Sequence, residues 1–258
     1  MNDAMNFRFA LPALPKGPVI EMSQAEAECF LLNKLEEDRD KPIDALWQIA
    51  HFYKNSRQHE KAMIYLHRLM ALMPSVEEKA NCVFTMGQAM ENVGDYEGAV
   101  RYYKEALAFE PTHTFTWYFI NNNLGFSLNT LGDFHEGERY CRKAIEIDPS
   151  RPNAFKNLGL ALSGQGRYSE AAECFVAATQ VNAADARSFH LLQKLLVEHP
   201  ELEYEFKTKA ESCGEAIKFA AQKANELKPI VHRGFRKRLT LWRLKLTAFN
   251  RKVRAFLG

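Results

Sequence analysis

Four stretches of the chain share one order of large and small side chains. Leu46-Trp-Gln-Ile-Ala-His-Phe-Tyr53, Val83-Phe-Thr-Met-Gly-Gln-Ala-Met90, Asn121-Asn-Asn-Leu-Gly-Phe-Ser-Leu128 and Phe155-Lys-Asn-Leu-Gly-Leu-Ala-Leu162 align with Gly or Ala in the same column. Each is followed by a turn and a second helical stretch with small residues at matching places: Ala62, Ala99, Gly137 and Ala171, then Ala106, Ala144 and Ala178, with Leu69 at that place in the first unit. Pro74, Pro111 and Pro149 close the first three units, and the last three turns read Gly94-Asp-Tyr, Gly132-Asp-Phe and Gly166-Arg-Tyr. The pattern predicts helix-turn-helix units at 43–76, 80–113, 118–151 and 152–185. The second and third units start three or four residues later than a 34-residue period allows, which predicts an added turn on their first helices. Ser75-Val-Glu-Glu78 has the form of a capping box and would start that helix early.

These residues resemble the tetratricopeptide repeat, in which a small residue at the eighth and twentieth positions lets two helices pack closely. The resemblance implies an all-α, right-handed solenoid whose first helices line a concave face. Two departures stand out. The first unit has Ser56-Arg-Gln-His59 in place of a Gly-Asp turn, and the fourth has Ala183 in place of its closing proline. A segment at 1–20, with Pro12, Pro15 and Pro18, reads as extended. Ser23-Gln-Ala-Glu26 opens a capping helix within 21–42, and 186–227 reads as further capping helices that cover the last unit.

In this family the concave face binds extended peptides or helices rather than carrying out chemistry. The sixth position of each unit holds Gln48, Thr85, Asn123 and Asn157. Side-chain amides donate and accept at once, as a peptide backbone does, so such a row suits backbone recognition. Asn123 and Asn157 are similar to the asparagine ladder in the repeat region of O-linked N-acetylglucosamine transferase. The plain alternative is that Asn is a tolerated solvated residue there. Trp47, Phe84, Phe119 and Phe126 stand beside the row with Asn122 and Lys156. They serve either as anchors for apolar side chains or as packing between neighbouring first helices. Charge on the face nearly cancels, with Asp44 and Glu91 against Lys54 and Lys156, which speaks against a clamp for a terminal carboxylate.

Composition changes the picture only when it is divided. The 258 residues carry 34 basic and 32 acidic side chains, for a net charge of +2. Ten of those bases, and no acid, lie between Lys228 and Gly258, so the first 227 residues are net −8. Within 228–258 the apolar residues Phe235, Leu239, Trp242, Leu246, Phe249, Val253 and Phe256 are spaced by alternating fours and threes. That is one face of an amphipathic helix, with Arg236, Lys237, Arg243, Arg251 and Arg254 mainly on the others. Four uses compete: a cap on the acidic body, a dock for a partner protein, an anionic membrane surface, or nucleic acid. The acidic body and the lack of any nucleic-acid motif argue against the last.

No GxGxxG, P-loop, HExxH or GxSxG motif occurs, and the eight histidines are scattered. No catalytic residue, cofactor or metal is expected. Five cysteines without a CxxC pair fit buried thiols in a reducing, cytoplasmic setting. The expected function is that of an adaptor holding an extended, low-charge segment in the groove. The alternative is a membrane-surface or secretion-chaperone type of assembly protein recruited by its basic helix. Sedimentation with anionic vesicles, with and without residues 229–258, tests the membrane use of that helix: binding lost on deletion supports it, and unchanged binding excludes it.

Overall fold

The structure, a computed structural model, describes residues 7–10, 19–182 and 185–202. The chain divides into two compact units, Met1–Asp148 and Pro149–Gly258. The first holds a two-stranded antiparallel hairpin, β1 (Phe7–Ala10) and β2 (Val19–Met22), with Phe7 opposite Met22 and Ala10 opposite Val19. Seven helices follow: α1 (Gln24–Glu37), α2 (Ile43–Asn55), α3 (His59–Leu72), α4 (Val76–Val93), α5 (Tyr96–Ala108), α6 (Thr114–Leu131) and α7 (Phe134–Ile147). Each packs on the next, and α2, α4 and α6 also touch in succession. The second unit holds α8 (Pro152–Gly164), α9 (Tyr168–Val181) and α10 (Ala186–Glu198), with α9 and α10 both against α8. The described fold is therefore the helical packing of a tetratricopeptide solenoid. The hairpin is an addition to the all-α expectation.

Local chemistry accounts for where the helices start and stop. Ser23 and Ser75 form reciprocal capping boxes with Glu26 and Glu78. At the second of these the Glu78 N–H donates to Ser75 Oγ and the Ser75 N–H to the Glu78 carboxylate, both at 3.2 Å. The added turns are present: α4 and α6 have 18 residues each, whereas α2 and α8 have 13. They are tied together by the Glu77 carboxylate, which accepts from the Thr112 N–H at 2.8 Å and the His113 N–H at 3.2 Å. The Thr116 hydroxyl adds a bond to Asn81 Oδ1 at 3.0 Å.

The turns divide the labour between two residues. Gly94 and Gly132 end α4 and α6 in the left-handed region (φ 85° and 86°), and the next residue, Asp95 or Asp133, caps the following helix. In the first repeat the same bend falls on Arg57, at φ 58°, followed by Gln58 with no side-chain cap.

Between the helices, Leu46, Leu66, Leu69, Val83, Tyr103 and Leu124 belong to one continuous core running from α2 to α6. Of the cysteines expected to be buried, Cys82 lies in this core and Cys141 is buried as well, whereas Cys174 is half-buried and Cys29 is exposed. Burial pushes the Cys82 thiol up to about 12. No helix among the described residues is long and apolar enough to cross a membrane. Residues 203–258 lie outside the described residues. With them go the capping helices predicted up to 227 beyond α10, the amphipathic helix predicted at 228–258, and the tail side chains Arg236, Lys237, Trp242, Arg243, Phe249, Arg251 and Arg254.

A left-handed backbone costs an L-residue roughly 1–2 kcal/mol, part of which glycine returns as lost chain entropy. Arg57→Gly is therefore expected to stabilise the protein by about 0.5–1 kcal/mol, read as a raised urea midpoint with unchanged helicity.

Candidate peptide-binding face

The first helices α2, α4 and α6 bury one side against α3, α5 and α7. Leu46, Ile49 and Ala50 are buried on α2, Val83 and Met86 on α4, and Leu124 and Leu128 on α6. The residues a third of a turn round form the opposite face of the first unit, and it is mainly aromatic and amide. Trp47 is half-buried and stacks on His51, with ring centroids 5.5 Å apart and planes at 23°. Phe119 is half-buried, edge-on to Tyr118 at 5.1 Å and tilted against the exposed Phe115 at 4.5 Å. Phe126 is half-buried and edge-on to Tyr96 at 6.1 Å.

The amides on this face are held in place by bonds within the unit. Gln48 Oε1 accepts from Lys34 Nζ at 3.0 Å. The Asn122 amide donates to Asn123 Oδ1 at 3.0 Å, and the Asn123 amide donates to the Tyr103 hydroxyl oxygen at 3.4 Å.

Four residues read from the sequence as groove-lining are taken up by the fold. Asn122 is 5% exposed, with its amide on Asn123. Thr85 is 4% exposed, and its hydroxyl donates to the Asn81 carbonyl one turn back at 2.8 Å. It has no hydroxyl hydrogen to offer a ligand, so the row has no rung there. Phe84, 9% exposed, lies against Tyr103 at 5.7 Å and belongs to the core. Lys156, 5% exposed, is no free cation: its Nζ donates to Asp185 at 2.6 Å, tying α8 to the residue that caps α10. Asn157 is half-buried in the second unit, whereas Gln48, Thr85 and Asn123 belong to the first.

Position-counting missed how the charges of this face are bonded. Tyr103 on α5 is fully buried and donates its hydroxyl to Glu91 Oε2 at 2.7 Å. Lys54 Nζ donates to Gln88 Oε1 at 2.9 Å, and the Asn92 amide donates to the Lys54 carbonyl at 3.1 Å. Burial raises the Glu91 carboxyl above its ordinary range, against the opposing pull of the Tyr103 bond and of Lys54. Burial also lowers the Lys54 ammonium, partly offset by Glu91. Burial and then the Glu91 charge raise the Tyr103 phenol far above its usual value. The available signal was that Lys54 and Glu91 share the twelfth place of successive units with opposite charge. Tyr103 gave none, because it comes from a second helix. Among the described residues no group of His, Cys, Asp and Glu is placed to hold a metal ion.

Tetratricopeptide repeat models match residues 43–74, 80–113 and 118–183, together just over half of the chain. The chain belongs to the tetratricopeptide repeat proteins. It is similar to Photosystem I assembly protein Ycf3 of Prochlorococcus marinus (strain MIT 9215), at 32% identity over 104 residues. That match covers 40% of this chain and spans 60% of the relative's length. Among solved structures it is similar to PilW, a type IV pilus biogenesis factor, with a TM-score of 0.56 and 20% identity. This likeness covers 75% of this chain and 90% of PilW. MamA from Desulfovibrio magneticus RS-1, from residue 41 to its end, gives a TM-score of 0.51 at 19% identity, covering 70% and 97%. At these identities the structural likenesses establish the fold.

The Lys156–Asp185 pair yields a prediction for the second unit. Burial works against ionising Asp185, but hydrogen bonds from Arg187 and Lys156 outweigh it and hold the carboxyl well below its ordinary range. A depressed carboxyl stabilises the fold above the unfolded value of about 3.9, and that contribution is lost as pH falls towards the folded value. Asp185→Asn leaves Lys156 buried without its counter-charge and is expected to cost about 3 kcal/mol at pH 7. In urea unfolding at pH 7 and pH 3, the gap between wild type and variant should narrow at the lower pH.

Proposed function

We propose that the protein is a noncatalytic adaptor whose first-helix face in the first unit holds an extended, low-charge segment of a partner protein. The observation that carries this reading is that Trp47, Phe119 and Phe126 are only half-buried beside the half-buried Gln48 and Asn123, although Trp47 and Phe119 also pack against the core. Rings that are only partly covered keep another surface for an apolar side chain at small entropic cost. Amides already oriented by their neighbours offer remaining donors and acceptors to a backbone. Gln48 and Asn123 are the candidate amide contacts in this unit, whereas Thr85, Phe84, Asn122 and Lys156 act through the fold. Similarity to an assembly protein supports an adaptor of the kind that brings components together. A second use, recruitment to a surface through 228–258, is favoured by ten bases without an acid.

Dodecapeptides enriched from a random display library on the full chain, then synthesised, provide the probe. Phe119→Ala combined with Asn123→Ala is expected to weaken the best binder by more than about ten-fold with helicity unchanged, as expected when an aromatic anchor is lost. Thr85→Val should leave affinity where it was. Unchanged affinity in the double variant refutes the groove.

A further inference from the structure

In an array of antiparallel helix pairs, the ends of the second helices and the starts of the first helices fall along one edge. In the first unit that edge is apolar at the joint between α3–α4 and α5–α6. Leu72 at the end of α3, Val76 at the start of α4 and Phe115 at the start of α6 are all exposed, Val76 at 61% and Phe115 at 54%. The Glu77 carboxylate, bonded to the Thr112 and His113 N–H groups, holds the start of α4 beside the start of α6, so these side chains share one stretch of edge. Val76 and Phe115 both stand on the added turns, outside the residues that the repeat needs for its own packing. A single exposed apolar residue is ordinary, but a group of them marks a surface that something covers.

The same edge is acidic. Its joints, 36–43, 73–79 and 109–114, hold seven acids against three bases, a net of −4 and half of the net −8 of the first 227 residues. Glu37, Asp40 and Glu110 are exposed there. The groove differs in this respect, because its charges nearly cancel. An apolar stretch flanked by acids is the complement of a basic segment with an apolar stripe, and the chain contains such a segment. Residues 228–258 carry ten bases and no acid, with apolar residues spaced by fours and threes. Twenty-five residues, 203–227, join it to the last described residue, and at full extension they reach about 80 Å. Tethering makes the encounter intramolecular, which favours the chain's own segment over a free partner.

We propose that residues 228–258 dock on this edge of their own chain, with their apolar stripe on Leu72, Val76 and Phe115 and their bases towards Glu37, Asp40 and Glu110. The docked segment covers the exposed apolar edge, and the edge in turn keeps the stripe of the segment from other surfaces. This is independent of what the groove holds.

The test places a photo-crosslinking side chain in the full-length protein, as Val76→p-benzoylphenylalanine and separately as Phe115→p-benzoylphenylalanine. Ile64→p-benzoylphenylalanine is the control, since Ile64 is also more than half exposed but lies in the middle of α3, away from the edge. Equal amounts of isotope-labelled and unlabelled chain are mixed, irradiated at low salt and analysed by mass spectrometry. Both edge positions should crosslink to residues 228–258 of the same isotope, in a yield at least about five-fold above that from Ile64. Exposed charges at an interface act additively in steering the docked state, so Glu37→Lys, Asp40→Lys and Glu110→Lys together should lower the yield by about five-fold with helicity unchanged. Arg243→Glu, Arg251→Glu and Arg254→Glu together should do the same. Combined in one chain, the two sets restore opposite charges and should recover about half of the yield.

Equal yields from Ile64 and the edge, or none from the edge, overturn the docking. If the edge gives none while vesicle binding depends on 229–258, the segment serves a membrane instead. Crosslinks mainly between different isotopes overturn it in favour of a second copy. A combined variant no better than either set alone removes the charge complementarity on which the proposal stands.

Discussion

An aromatic ring from a second helix can lie flat against a first helix only where that helix has no side chain. Gly87 meets the ring of Tyr103 and Gly159 the ring of Phe175, while Gly125 meets Cys141 and the Gly137 backbone. A methyl group at any of these places would overlap its neighbour, so the helix pairs depend on the missing atoms. The consequence reaches the other side of the helix. Because the Tyr103 ring lies over Gly87, its hydroxyl passes alongside α4 to Glu91, one helical turn further on, and meets the Asn123 amide from α6. A packing requirement of the core thus sets the positions of polar groups on the proposed binding face.

The joints between repeats add a second layer of constraint. Where α4 and α6 carry an added turn, Glu77 satisfies two backbone donors at the entrance to α6, and Asn81 receives Thr116. These bonds link successive first helices independently of the core. The division between the two compact units falls after Asp148, at the joint where the next first helix, α8, has no added turn. Within the second unit, Lys156 and Asp185 give α10 an electrostatic attachment to α8, alongside the apolar packing of Phe189 and Leu192.

Much of the fold was legible because its signals are local. A capping box needs only residues three apart, and the Gly-Asp turns announce both the left-handed bend and the following cap. Even Arg57 follows the rule, since the repeat demands the bend whether or not a glycine is there. The site was less legible. Counting helical positions says which side of a helix a residue occupies, but the opposite side is shared by core, neighbouring helix and solvent. Phe84 and Thr85 fall on the counted face and are nevertheless consumed, one by a ring behind it and the other by its own helix. Lys156 looks like a groove cation until Asp185, 29 residues away, comes within reach.

The sequence by itself determined the repeats, their turns, their caps and the added turns, because each follows from the geometry of a few consecutive residues. It also set the separation of an acidic body from a basic end. Only the tertiary structure decided which polar side chains on the first helices are already satisfied. Hydrogen bonding and desolvation depend on groups that arrive from other helices, and no periodicity along one helix records them. That is why Lys54 and Glu91, a cancelling pair of charges in the sequence, become two half-buried charges bonded to Gln88 and Tyr103 in the fold.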